Sequence, residues 1–592
     1  MSSIKTKWDL TLLYDSLSDT HIERDVIKTE RAYKKFNKDF NNTINWLRQP
    51  KALLIALERY DALRVLPGER AMYYAHYVRE LDGSRSDADA LFMRLQDRLT
   101  KAGTQVMFFE NRLSKIDSKI QERFLKSKAL TKYKYYLERL FLEGEHTLTE
   151  SEERVLALTS ASRSSLWTSG VDKLINKQEV KIGEESMPIN DVLSRSQHMS
   201  NTNKRRAWSK AAMKKLKNIS EFPESEINAL YTNKKTSDEL RGFSNPYDAT
   251  IMSYENNAKS VLSLTKVVTD NFKLVHQFYK IKKEMLGLSE MQYADRSAPI
   301  GKSNKKVTFS MAVDTVRDAI YDVSDIYGDM FTKMIENGQV DVYPSAGKSG
   351  GAYCSGGVNT PTFLLLNQTD DLNSLYTLAH EMGHAIHTER SKCQPVIYQG
   401  YSTAVAETAS TFFERVVFDK IFESLSNKEK VIALHNKIQD DISTVFRQVA
   451  FFNFELELHT AVRSNGWVPK EEIAKMLVKH LRTYLGKGVE IDELDGYSFV
   501  HIGHFRNYFY VYSYAFGQLI SSALFNKYKN DKNYINKIDK FLSDGGSMTP
   551  EQIFKNIGVD ITKPEFWQKG IDAIADDIKR LRKLVKMLNK GD

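Results

Sequence analysis

From about Trp8 to about Val180, apolar residues recur at three- and four-residue spacing in long segments broken by short polar turns. Residues 51–65 (KALLIALERYDALRV) and 88–113 (ADALFMRLQDRLTKAGTQVMFFENRL) carry that period plainly, which predicts amphipathic helices with one face turned to a core. Residues 160–201 are looser, and INKQEVKIGEES within them alternates as a short strand or hairpin does. A polar, basic stretch (NTNKRRAWSKAAMKKLKN) follows, and helical spacing then runs from about 204 to 340. A soft boundary near 195 divides an N-terminal helical domain, 1–195, from a second domain, 196–592. Residues 341–367 break the pattern. There DVYPSAGKSGGAYCSGGVNTPTFLLLN gathers glycines ahead of a short apolar run, TFLLLN, that reads as a buried or edge strand.

Composition sharpens this picture. With 29 glycines and 12 prolines in 592 residues, the chain is poor in helix breakers and leans to a mainly α fold. A formal charge of +9 is only mildly basic for this length, and the basic runs at Lys210–Lys217 and Lys579–Lys590 interleave with apolar residues as solvated helix faces do. No clustered basic–aromatic motif points to nucleic acid. Two cysteines, Cys354 and Cys393, fit reduced thiols rather than a disulfide framework. The first residues contain no apolar stretch of signal-peptide length, and no run approaches the ~18 apolar residues of a membrane span. The expectation is a cytoplasmic protein with no membrane partner, a monomer rather than an oligomer. Gly347-Lys348-Ser349 invites a phosphate-loop reading, but Val342 stands where such a loop needs its first glycine.

Chemistry concentrates in Leu375–His387, LYTLAHEMGHAIH, where His380, Glu381 and His384 form H-E-x-x-H. On a helix the two histidines lie one above the other, about 6 Å apart along the axis, and can converge on one Zn²⁺. Glu381, turned by roughly 100°, is free to act as a base on a water at the ion. Catalytic zinc normally takes a third protein ligand. His387 lies on the same helix, where three stacked side chains would span roughly 10 Å, so it reads as a neighbour of the site. The longer three-histidine zinc pattern also fails, because Arg390 stands where its last histidine belongs. The better third ligand is Glu407, a carboxylate set among Ala404, Val405, Ala406, Thr408 and Ala409 on a small-residue helix; Glu414, seven residues on, shares its face. A further stretch, Phe499–Gly517 (FVHIGHFRNYFYVYSYAFG), is rich in donors for an oxyanion: His501, His504, Tyr508, Tyr510, Tyr512 and Tyr514.

These residues resemble the oligoendopeptidase F branch of the thimet-oligopeptidase-like zinc metallopeptidases. The matching pieces are LAHEMGHAIH, VAETASTFFE, KSGGAYCSGG with TFLLLN, and HFRNYFYVYSYAFG, with weaker likeness in WDLTLLY, RGFSNPYDA and LGLSEMQYADRSAPI, in family order over most of the chain. The resemblance implies a mainly α, bilobed protein whose deep channel encloses the metal, with a small β element (glycine loop plus edge strand) beside it. It places catalysis in 196–592, one Zn²⁺ on His380, His384 and Glu407, and the general base on Glu381. It also makes His504 the residue that stabilises the intermediate, with Tyr512 as its partner and Tyr510 or Tyr514 as alternatives. Peptide is expected to pair with backbone around Gly350, Gly351, Phe363, Leu364 and Leu365. Two departures stand out: Gly503 where the family usually has proline, and Arg506 where it usually has an aromatic residue. The implied activity is a zinc endopeptidase cleaving short unstructured peptides. A related zinc carboxypeptidase or dipeptidase is the first alternative, and a non-catalytic peptide-binding scaffold the second.

Overall fold

The computed structural model describes residues 4–301 and 305–591 and is 72% helical, as the scarcity of glycine and proline predicts. The helices that position the site are α1 (Glu221–Arg241), α2 (Leu372–Ser391), α3 (Thr403–Phe422), α4 (Asn427–Asp441), α5 (Arg447–Asn465) and α6 (Tyr512–Asn530). The expected hairpin is present. β1 (Glu179–Ile182) pairs antiparallel with β2 (Glu185–Pro188) across a turn in which Gly183 takes φ +60°.

A second sheet has three very short strands, β3 (Val340–Asp341), β4 (Tyr353–Ser355) and β5 (Phe363–Leu365), in the order β3-β5-β4. β3 runs parallel to β5 and β4 antiparallel to it. This corrects one expectation: Phe363–Leu365 is the central strand, fully buried, with both backbone edges already paired. It has no edge left for a peptide. The edge strand is β4, inside the glycine loop itself. Lys348, the residue of the rejected phosphate-loop reading, is a buried structural cation 2.7 Å from Asp341 that also donates to the carbonyls of Tyr343 and Leu366.

The main core gathers side chains from Val171 to Leu581, while two smaller cores lie in the N-terminal helices. β5 belongs to both regions. Leu364 and Leu366 enter the main core, and the alternate residues Phe363 and Leu365 join Trp8, Tyr14 and Tyr77 in an N-terminal core, following the two-residue period of a strand. Trp8 locks the seam by donating its indole N–H to the Leu364 carbonyl at 2.7 Å.

Helix α3 is pressed between α2 and α6, and glycines make the approach possible. A Cβ on Gly383 of α2 would lie 2.6 Å from Ser410 Cα and 2.8 Å from the Ala409 carbonyl oxygen, both on the α3 backbone. A Cβ on Gly517 of α6 would lie 2.8 Å from Glu407 Cβ on the other side. A glycine inside a helix costs about 1 kcal/mol relative to alanine, so each is accounted for by the close contact it permits. We predict that Gly383→Ala lowers stability by about 1–3 kcal/mol through overpacking against backbone and, by spreading α2 from α3, lowers metal occupancy. Thermal melts read beside metal content check this; an unchanged Tm with full occupancy would show that the crossing relaxes freely.

Candidate metal centre and active site

Helix α2 begins at Asp371, whose carboxylate accepts the Ser374 N–H at 2.8 Å as an N-cap. Two turns on, His380 and His384 stack on one face with ring centroids 5.0 Å apart and planes at 80°. Glu407 comes across from α3. Its Oε2 lies 3.3 Å from His380 Nε2 and 3.5 Å from His384 Nε2, and one donor atom from each of the three residues falls within 4.8 Å of the others. Ligands bound tetrahedrally at 2.0–2.1 Å would sit about 3.4 Å apart. The donor set and its spacing therefore fit a zinc-sized divalent cation. His387 is fully buried and stacked 3.6 Å from Tyr401 at 4°, with no hydrogen-bond partner for either ring nitrogen among the described residues.

The electrostatics point the same way. Burial works against a charge on His380, but hydrogen bonds to Glu407 and to Glu414 (3.1 Å from Nδ1) outweigh it and hold its pKa up at about 10. Burial likewise opposes charge on Glu407, yet His380, His384 and the Ser410 hydroxyl, which donates at 2.8 Å, bring it down to about 2. His384, half-buried and beside the charged His380, is brought down to about 4 by desolvation and that neighbour and is neutral despite Glu407. The cluster thus demands a positive charge at the focus of its donors, which without metal only the proton on His380 supplies. Glu381 points elsewhere. Burial, opposed by His380 and reinforced by Glu407, lifts its carboxyl to about 7, and the Cys354 backbone N–H of β4 is its hydrogen-bond partner. A base poised near neutrality is what proton transfer at pH 7 requires.

The donor-rich stretch is only partly assembled as expected. His504 Nδ1 lies 2.5 Å from the hydroxyl of Tyr510, not of Tyr512. Tyr512 is completely buried, and its hydroxyl accepts from the Asn256 amide at 3.2 Å, so it is turned away from His504. Tyr514 packs against both His504 and Tyr510, at 6.0 and 5.7 Å between centroids. It also lines a cavity of about 730 Å³ together with Tyr376, His380, Glu407, Glu414 and Asp440. Burial, with the nearby Arg447, lowers His504 to about 4, leaving a neutral imidazole. His501 is held neutral in the same way, with its Nδ1 unpartnered. Arg506, where the family usually has an aromatic residue, is a clamp, paired with buried Glu226 at 2.6 Å and donating to the carbonyls of Phe499, Val500 and Ile502. Gly503 has open space around it and an ordinary φ, so the turn there does not depend on glycine. Gly350 and Gly351 are exposed beside β4, with the Gly351 carbonyl tied to the Asn367 amide at 2.8 Å.

Two polar residues of α5 went unread in the sequence. Gln448 places its amide nitrogen 3.4 Å from His504 Nε2, and Glu455 accepts the Phe509 N–H at 3.0 Å. The signal was weaker than the one that exposes Glu407: the run AFFNFELEL holds two carboxylates, Glu455 and Glu457, among bulky and aromatic neighbours, and nothing local tells the buried one from the other. Glu455 is fully buried with no cation beside it among the described residues, and burial raises its pKa to about 8 despite the Phe509 N–H. Tyr508 and Phe509, at φ +34° and +60°, are the only consecutive non-glycine residues with positive φ among the described residues. Each such residue costs roughly 1–3 kcal/mol unless its surroundings enforce it.

The peptidase family M3 profile matches residues 196–573, and the oligopeptidase F profile matches 112–170. The chain belongs to peptidase family M3. Its family M3 relatives include an oligoendopeptidase F homolog of Borreliella burgdorferi, 26% identical with 98% of each chain covered. Oligopeptidase PepF of Bacillus subtilis is 26% identical over 97% of this chain and 88% of its own length. A solved structure from Chlamydophila abortus superposes with a TM-score of 0.86 at 25% identity, covering 98% of both chains. Membership of family M3 makes the protein a peptidase of oligopeptides with the helical fold of that family. Among the described residues, no helix is long and apolar enough to cross a membrane.

Two predictions follow from the charges of this family M3 site. Glu407→Ala removes the donor that bridges both imidazoles, so metal affinity should fall by at least about tenfold, while chelation of the wild type leaves helical circular dichroism intact because the core is built without the ion. Full metal occupancy in Glu407→Ala would reject it as a ligand. Glu455 titrates higher in the fold than in the unfolded chain, so its contribution to stability is complete below about pH 4.5 and is lost as pH rises through about 8. Glu455→Gln should therefore raise Tm relative to wild type at pH 8.5 and leave it nearly unchanged at pH 5; equal differences at both pH values would mean that the carboxyl is already ionised in the fold.

Proposed function

We propose that the protein is a zinc-dependent endopeptidase that hydrolyses internal bonds of short, unstructured peptides. The observation that carries this reading is the cluster of His380, His384 and Glu407, with Glu407 Oε2 3.3 and 3.5 Å from the two imidazoles and all three donors within 4.8 Å of one another, beside a buried carboxyl, Glu381, at a pKa of about 7. A zinc held by those three residues supplies a Lewis acid for the scissile carbonyl and lowers the pKa of water. Everything else is work for the chain itself. Glu381 takes the proton of the attacking water on its carboxylate and returns it to the leaving amine. Glu414, 3.1 Å from His380 Nδ1, fixes the tautomer that presents Nε2 to the centre. Tyr510 and His504 form a hydrogen-bonded neutral pair that holds one proton between them and leaves one free to donate to the oxyanion, with Tyr514 as a neighbouring donor rather than Tyr512.

The extended substrate lies along β4, the edge strand whose Cys354 N–H already points at Glu381, with Gly350 and Gly351 leading into it. The reading assigns residues 196–592 to catalysis and 1–195 to a helical N-terminal domain, in a monomeric, cytoplasmic enzyme whose free Cys354 and Cys393 suit a reducing compartment. A carboxypeptidase or dipeptidase would share this chemistry and differ in how the cleft ends. One experiment separates the cases: metal content and product analysis on a short peptide blocked at both termini, for wild type and Glu381→Gln. Internal cleavage by the wild type is expected, with a loss of at least about a hundredfold in Glu381→Gln at unchanged zinc. An untouched blocked peptide would favour the exopeptidase, and zinc lost with Glu381 would overturn its role as base.

A further inference from the structure

The link from His504 to Tyr510 is short, and it closes only through the left-handed pair Tyr508–Phe509. Tyr508 is held from two sides: the Thr250 hydroxyl donates to its carbonyl at 2.9 Å, and its own hydroxyl donates to the Leu230 carbonyl at 3.0 Å. Phe509 is fully buried among Phe452, Tyr247 and His459, with ring centroids 5.2, 6.0 and 5.0 Å away. A backbone N–H in such a place has no water to turn to and needs a fixed acceptor. Glu455 Oε1 is that acceptor, at 3.0 Å.

We propose that Glu455 is a positioning residue for turnover: by accepting the Phe509 N–H it pins the left-handed Tyr508–Phe509 turn and so holds the Tyr510 hydroxyl on His504. Glu455 does not touch the reacting atoms. The face of α5 that carries it supports the assignment, because Gln448, Glu455 and His459 follow at offsets of seven and eleven residues, within about 20° of one line along the helix. Gln448 meets His504 Nε2, Glu455 holds the turn, and His459 packs on Phe509, so one rigid helix registers both members of the donor pair. The Glu455 carboxyl satisfies the Phe509 N–H at a cost to itself: among the described residues it has no cationic partner, and its Oε2 has no hydrogen-bond partner.

The inference rests on the reading of Tyr510 and His504 given above, and the test separates the two. In the zinc-loaded enzyme, Glu455→Met should lower kcat by about 10- to 100-fold with KM within about twofold, as expected for a misplaced group rather than lost binding. Glu455→Gln keeps the acceptor and should stay within about twofold of wild type in both constants. On a Tyr510→Phe background, Glu455→Met should cost less than about twofold more, because it acts through the hydroxyl already removed. Nitrogen-15 histidine spectra give a readout without turnover: the His504 Nδ1 resonance should shift in Glu455→Met and stay in place in Glu455→Gln. Wild-type kcat in Tyr510→Phe would overturn the role of Tyr510 and this proposal with it. A slow Tyr510→Phe on which Glu455→Met still costs its full factor would overturn the proposal alone. If Glu455→Met does not fold, Glu455→Gln decides: a kcat reduced more than tenfold at full metal content and unchanged melting would refute it.

Discussion

The close approach of α3 to α2 on one side and to α6 on the other is the constraint from which the site follows. Gly383 lets the backbone of α2 approach that of α3, and Gly517 lets α6 close on the opposite side of Glu407, so the carboxylate is held at one distance from the imidazoles of α2. The run of small residues around Glu407 serves the same end. Once the helices are seated, Glu407 reaches 3.3 and 3.5 Å from His380 and His384, and the Ser410 hydroxyl, 2.8 Å from the same oxygen, helps to hold its carboxylate there. Glu414 then completes an arrangement in which two carboxylates flank one imidazole and leave a deficit of positive charge at its centre.

How much of this the sequence discloses depends on whether the signal is local. H-E-x-x-H is legible because helical period alone brings His380 and His384 together, and Glu407 because a lone carboxylate among alanines needs a reason to be there. The helical fold is legible from the scarcity of breakers. Strand position was not: TFLLLN looks alike at a sheet edge or a sheet centre, and its neighbours β3 and β4 are chosen by parts of the chain that carry no mark in the strand itself. The tyrosines failed for a related reason. Alternation at 508, 510, 512 and 514 suggests a regular element with one inward face, but the positive φ values at Tyr508 and Phe509 reset the direction, so Tyr510 reaches His504 while Tyr512 opens α6 and turns to Asn256. Gln448 and Glu455 were hidden because aromatic neighbours make α5 read as uninterrupted core.

The two halves of the candidate site are held by different physics. His380, His384 and Glu407 sit on long helices fixed by packing, with charge as the remaining determinant. The His504–Tyr510 pair sits on an irregular segment that is strained in its backbone, clamped at one end by Arg506 on Glu226 and three carbonyls, and seated on α5 at the other. Such segments keep their shape only while every tie is present, which is why a buried, uncompensated acid can persist there against its own cost.

The placement of β5 carries a mechanical consequence. Its alternate side chains are rivets driven into two separate bodies of the molecule, and the Trp8 indole fastens the same strand from the N-terminal side. Parting the molecule along this line would strip Phe363 and Leu365 from one core or Leu364 and Leu366 from the other, so the three-stranded sheet is a seam at which the two cores resist separation.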